Sequence, residues 1–232
     1  MNNEITIQIA SEKHLKYVDI ILQTISDAAK VRGTGIAKRD PLYVSTKIKE
    51  GKAIIAIIDE EFAGFCYIES WGHDKFVANS GLIVVDKFRG RGLARDIKKK
   101  AFDLSRKLYP NSKIFGLTTG LAVMKINSQL GYKPVTFSEL TDDKEFWKGC
   151  QSCVNYDILL RTNFKHCLCT GMLYDPDKEE MTKETKIPQK KLKVYERWLK
   201  FKKFVLLNGS GKADDKKEKN KNFIKRVFTF FI

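Results

Sequence analysis

The chain has 232 residues, 43% hydrophobic and 31% charged, with 43 Lys+Arg against 28 Asp+Glu and a formal net charge of +15 at pH 7. That length and apolar fraction predict one domain with an appendage, and they exclude disorder of the whole chain. Asn2, Asn3 and Glu4 open the chain and no apolar run reaches about 18 residues, so a soluble cytoplasmic protein with neither secretory signal nor membrane span is expected.

Ile5, Ile7 and Ile9 alternate with polar residues, the period-2 pattern of a strand with one buried face. Ser11 then caps a helix whose Leu15, Val18, Ile21, Leu22 and Ile25 fall at helical spacing, ending before Gly33 and Gly35. A second short helix is predicted from Leu42 to Lys49, stopped by Gly51. Residues 53–58 and 62–70, joined by the acidic turn Asp59, Glu60 and Glu61, read as an antiparallel hairpin, and residues 81–85 as a further strand. A glycine-rich loop follows and runs into a helix with Leu93, Ile97, Ala101 and Leu104 on one face, closed by Pro110. Residues 113–119 form another strand, 121–131 a short helix ended by Gly131, and 132–137 a last strand. The order β, α, α, β, β, β, α, β, α, β predicts an α/β (α+β) domain over residues 1–175, built around a twisted mixed sheet.

Residues 176–232 hold 17 Lys+Arg against 8 Asp+Glu and so carry most of the charge excess. In this basic C-terminal extension Leu192, Tyr195, Trp198, Leu199, Val205 and Leu206 define one amphipathic helix. Residues 208–222 form a charged linker with no core-forming content, ahead of an apolar end expected to fold back on the domain. A charge excess confined to one end reads as a solvated tail, so no nucleic-acid partner is expected.

Arg89, Gly90, Arg91, Gly92, Leu93 and Ala94 stand between a hydrophobic strand and a helix with the spacing R-x-x-G-x-A. Glycines let the backbone approach a ligand, and the free N–H groups of the first helical turn carry the positive end of the helix dipole. Such a turn holds a diphosphate. A dinucleotide fingerprint fails at Arg95, where a glycine is needed, and a P-loop fails for want of Lys followed by Ser or Thr.

Cys150 and Cys153 form C-x-x-C, and Cys167 and Cys169 form C-x-C beside His166. Four thiolates so spaced can close a tetrahedral structural zinc site. Ordinary reduced thiols and a redox pair at Cys150 and Cys153 stay open as alternatives.

The loop at Arg89 to Ala94 resembles the acyl-CoA pyrophosphate loop of the GNAT superfamily of N-acyltransferases, of the form Q/R-x-x-G-x-G/A after the fourth strand. The resemblance runs from about Ile5 to Tyr174, roughly three quarters of the chain. It implies a GNAT-type fold, a mostly antiparallel sheet flanked by helices, and acetyl-CoA or another acyl-CoA as co-substrate. It also implies a strand at 81–85 that splays from its neighbour and pairs with pantetheine, with Ile83 and Val85 as contacts. The segments "GIAKRDPLYVSTKI", "IFGLTTG", "GYKPVTFSEL" and "NYDILLR" further resemble the acetyltransferase domain of N-acetylglutamate synthases of arginine biosynthesis. The amino-acid-kinase domain that many such synthases carry ahead of it is not in this chain, and arginine regulation through it is not implied.

That narrower resemblance implies a small amino acid acceptor, with Lys38, Arg39 and Arg161 as cations for its carboxylates. Glu69 and His73 lie near the expected splayed strand and are the side chains for proton transfer through water. Where the synthases have a glutamate entering the fourth strand this chain has Asn79, and where most of the superfamily has an acid tyrosine it has Asn127. An amide orients or polarises but does not act as a base. A catalytically weak CoA-binding or interaction module, and an acetyltransferase for another amine, are the alternative readings; a homodimer is compatible with each.

Overall fold

The computed structural model describes residues 4–32 and 38–178. The tail helix, linker and apolar end read from residues beyond 178 lie outside them. The chain divides into units Met1–Glu180 and Met181–Ile232, and every described residue belongs to the first.

Strand β1 (Ile5–Ile9) leads through a 3-10 turn into α1 (Val18–Arg32). Helix α2 (Pro41–Lys49) starts where Asp40 accepts the N–H groups of Leu42 and Tyr43 at 2.8 and 3.1 Å, with Pro41 in the first turn. Strands β2 (Ala53–Ile58) and β3 (Glu61–Trp71) form the expected hairpin. Its turn is shorter than expected: Asp59 and Glu60 both take positive φ, the two-residue turn that matches strand twist, and Glu61 already begins β3.

Strand β4 (Phe76–Val84) starts five residues before the predicted position. Gly81 sits inside it with φ +66°, where Gly81 and Leu82 stand against the single residue Cys66 of β3. This bulge hides the strand from pattern reading, because Asn79, Ser80 and Gly81 look like a turn. Next come α3 (Leu93–Leu108), β5 (Lys113–Thr118), α4 (Leu121–Gln129) and β6 (Lys133–Val135), the last shorter than expected. Two short helices, α5 (Lys144–Lys148) and α6 (Tyr156–Arg161), precede β7 (Thr170–Tyr174), a strand not resolved by sequence periodicity.

The seven strands run in the order β1-β2-β3-β4-β5-β7-β6, antiparallel except for β4 beside β5. Ile54, Ala56 and Ile58 of β2 pack with Ile97, Ala101 and Leu104 of α3, while Ala53 and Ile55 pack with Ile21 and Ile25 of α1 and Val44 and Ile48 of α2. The sheet is therefore covered on both faces there, which explains why "AIIAII" is continuously apolar. Each buried isoleucine, leucine or valine there is worth about 1.5 to 3 kcal/mol. A third cluster, with Phe115, Trp147 and Leu159, covers the face under β5 and β7. At Gly64 a Cβ would stand 2.6 Å from Ile97 Cδ1, so the close seating of α3 on β3 depends on that glycine.

Candidate active site

β4 and β5 pair only from Phe76–Ala78 against Lys113–Phe115. Beyond that point β4 bulges at Gly81, and Gly116, Leu117 and Thr118 of β5 bond to β7 on the other side. The two strands part, as the resemblance implies. A cavity of about 430 Å³ opens there, lined by Asn79, Leu82, Ile83, Gly116, Lys98 and Asn127 and continuing along Lys38, Arg39, Tyr43, Tyr67, Glu69 and Trp71.

Val85 donates its N–H to the Ala63 carbonyl at 3.0 Å, so its backbone faces β3, as does that of Ile83 two residues earlier. Val84 points its carbonyl the opposite way, where Arg89 Nε donates to it at 3.2 Å. The backbone turned toward the gap thus belongs to Leu82 and Val84, one residue out of step with the expected Ile83 and Val85. Ile83 lines the cavity with its side chain.

In the loop, Gly90 and Gly92 take φ of +80° and +83°, and Gly92 caps α3. The N–H groups of Arg95 and Asp96 both bond to the Gly92 carbonyl. Among the described residues those from Gly90 through Arg91 and Leu93 to Ala94 have no partner. Arg89 is braced by Asp86 at 2.7 Å, and Arg91 lies over the Phe88 ring at 5.6 Å. The geometry is that of an anion cradle at a helix start.

Lys38 and Arg39 both reach the cavity. The Lys38 N–H is held by Ser152 Oγ at 3.0 Å, and Arg39 Nε donates to Tyr67 Oη at 2.6 Å. Glu69 lies beside them, with Lys47 Nζ at 2.5 Å from Oε1 and the Tyr43 hydroxyl on Oε2. Burial pushes the Glu69 carboxyl up to about 7 while Arg39 pulls it down. The Lys47 ammonium pulls in the same direction as Arg39. Burial also lowers Lys47, with Glu50 opposing.

Two predicted residues are not brought to the site. Arg161 is exposed at the end of α6, because the helix turns Leu159 into the core at 1% exposure and Arg161, two residues on, faces away. His73 is exposed in the turn between β3 and β4, with φ +54°. Neither lines the cavity.

Asn79 is locked on both sides: its Nδ2 donates to Ser105 Oγ at 2.8 Å and its Oδ1 accepts from the Tyr132 hydroxyl at 2.9 Å. It ties β4 to α3 and to the segment after α4. Sequence reading missed Tyr67, Trp71, Lys98 and Asn155 as cavity residues. Among the described residues three buried side-chain polar atoms lack a partner: Trp71 Nε1, Asn127 Oδ1 and Asn155 Nδ2. All three residues line the cavity. Buried polar atoms are nearly always satisfied, so these three are left to bond water or a polar ligand in the cavity.

The zinc expectation finds no support. Among the described residues no group of three or more His, Cys, Asp or Glu side chains is placed to hold a metal ion. Cys150, Cys167 and Cys169 instead pack against the apolar cluster around Phe115 and Trp147. Burial, with the neighbouring cysteines adding to it, pushes the Cys150 and Cys169 thiols up to about 11 and 12.

No family model and no curated protein matches the sequence. Solved structures do match by shape. N-acetylglutamate synthase from Neisseria gonorrhoeae, complexed with coenzyme A and N-acetyl-glutamate, superimposes with a TM-score of 0.53 at 13% identity, over 75% of this chain and 36% of that one. An acetyltransferase of the GNAT family from Staphylococcus aureus Mu50 gives 0.54 at 11% identity, over 75% and 99%. Diaminobutyrate acetyltransferase from Paenibacillus lautus, in complex with L-2,4-diaminobutyric acid and coenzyme A, gives 0.51 at 10% identity, over 75% and 96%. The chain spans little more than a third of the synthase and nearly all of the other two. The fold is that of the GNAT acetyltransferases. Among the described residues no helix is long and apolar enough to cross a membrane.

Proposed function

We propose that the protein is an acyl-CoA-dependent N-acyltransferase that moves an acetyl or other short acyl group to the α-amine of a small amino acid. Glutamate is the first acceptor proposed, which is the reaction of arginine biosynthesis that the sequence resemblance implies. The observation that carries the reading is the parting of β4 and β5 directly ahead of the unpartnered N–H groups at Gly90 to Ala94. A pantetheine arm extends a strand edge in such a gap, and its diphosphate suits the helix start.

The acceptor side follows from chemistry. Trp71 Nε1 and Asn155 Nδ2 are unpartnered donors on the same cavity as Lys38 and Arg39, a set that suits a carboxylate. Glu69, held near neutrality by burial, suits an ammonium that must lose a proton before it attacks a thioester carbon. The same carboxyl favours a second reading, a diamino acid whose far ammonium would pair with Glu69. Both readings have counterparts among the structures of similar shape, one holding N-acetyl-glutamate and one diaminobutyric acid.

Thiol release from acetyl-CoA, measured with glutamate, diaminobutyrate, ornithine and a polyamine, tests the proposal. Release that depends on an amino acid supports it, and the preferred acceptor separates the two readings. CoA binding without release under any amine would identify a binding module instead. A polyamine preferred over every amino acid would contradict the carboxylate assignment.

A further inference from the structure

Lys98 stands in a run of three lysines on α3, yet only 2% of it is exposed, and it lines the cavity. Among the described residues it has neither a hydrogen bond nor a carboxylate partner. Its Nζ lies 5.2 Å from the Tyr132 ring centre. It also lies 3.8 Å from the point where a Cβ on Gly116 would stand. The backbone oxygen of Asn79 is 3.4 Å from that same point, and Asn127 Nδ2 is 4.0 Å from it. Three polar atoms therefore converge above the one residue of β5 that has no side chain, immediately past the last β4–β5 pair. An unpaired ammonium so placed is a burden on the fold.

We propose that Lys98 is the proton donor to the thiolate that leaves when an acyl-CoA thioester is cleaved in the gap between β4 and β5. This rests on the acyltransferase reading above. The amine nitrogen attacks the thioester carbon, the C–S bond breaks, and its electron pair goes to sulfur. Lys98 Nζ gives that sulfur a proton, producing the free thiol and a neutral lysine. The proton lost by the amine nitrogen as the amide forms passes through water and restores the lysine charge.

The other groups that face Lys98 do not fit the task. Asn127 from α4 has no transferable proton. The Cys66 thiol from β3 bonds to the Ser80 carbonyl at 3.3 Å and is pushed up to about 11 by burial. The Tyr132 hydroxyl is engaged by Asn79, and burial raises it. Both stay neutral where Lys98 titrates. Burial pushes Lys98 down to about 8, close to the range of about 8.5 of an ordinary thiol. Donor and leaving group are matched.

The test is the pH profile of thiol release by the full-length protein, wild type against Lys98→Met and Lys98→Arg, alongside CoA affinity by calorimetry. Wild-type kcat should fall above about pH 8 as the ammonium is lost. Lys98→Met should lose on the order of a hundredfold in kcat with CoA Kd within about threefold, and should lack the alkaline fall. Lys98→Arg keeps charge without a transferable proton and should also be slow and flat. A Lys98→Met or Lys98→Arg protein that matches wild type in kcat and pH profile overturns the role of Lys98 alone. A wild-type protein that binds acetyl-CoA but releases no thiol with any amine, or does not bind it, removes the acyltransferase reading and this proposal with it.

Discussion

Lys98 and Asn127 reach one point from two different helices, Nζ at 3.8 Å and Nδ2 at 4.0 Å from where a Cβ on Gly116 would lie. The absent side chain keeps that point open. Gly116→Ala places a methyl group there at ordinary contact distances, so stability should change by less than about 1 kcal/mol, roughly 2 to 4 °C in Tm. Acyl transfer should nonetheless fall by on the order of tenfold or more, because the methyl occupies ligand space. Thermal melting and steady-state kinetics on the same variant check both halves.

Gly92 has φ +83° and leads the free N–H groups of α3, so Gly92→Glu brings backbone strain and a negative charge to the cradle. CoA affinity should drop at least about tenfold in a folded variant. Affinity equal to wild type, measured by calorimetry, would show that the diphosphate lies elsewhere.

Trp71 and Arg161 make a paired test of the acceptor side. Trp71→Phe removes a buried donor that has no partner, so stability should hold or rise, while the acceptor KM rises by about tenfold for the lost bond to a carboxylate. Arg161→Ala should leave the acceptor KM unchanged, since that side chain faces solvent. Reversal of this pattern in the kinetics would return Arg161 to the site.

pH dependence follows from two burial effects of opposite sign. Lys98 titrates near 8 in the folded protein against an ordinary 10.5, so the unfolded chain binds an extra proton between those values. Stability therefore rises with pH across that window, and the cost, roughly 3 kcal/mol, is present in full below pH 8. Lys98→Met should melt higher than wild type at pH 7 and lose the gain in Tm between pH 7 and 10. Glu69 titrates above its ordinary 4.5, near 7. Its contribution to stability is present below 4.5 and is lost as pH rises through 7. If its carboxylate takes the amine proton, the rate should climb as pH approaches 7, and Glu69→Gln should remove that limb.

The strand and helix periodicities were legible because they answer to burial: Ile97, Ala101 and Leu104 face the sheet at the spacing that reveals them. The loop from Arg89 to Ala94 was legible because two glycines with positive φ and a helix start leave a local signature. Lys98 was not. By residue type it cannot be told from Lys99 and Lys100, and only its place next to Ile97, one step around the helix from the apolar stripe, hinted at burial. Arg161 failed for the converse reason, since its segment matched but the helix phase set by Leu159 turned it outward. The cysteine spacing suggested a metal site, whereas in the fold Cys150, Cys167 and Cys169 pack against the cluster of Phe115 and Trp147. The cavity donors Trp71 and Asn155 come from β3 and from the residue ahead of α6, and no local pattern joins them.

Every step of the reaction rests on the gap between β4 and β5, together with the loop after it, holding an acyl-CoA. A calorimetric titration of CoA into the 232-residue chain probes this without any substitution. One CoA per chain should bind, with affinity that weakens as salt is added because part of it comes from the diphosphate at the α3 start. No detectable binding by correctly folded protein would contradict it.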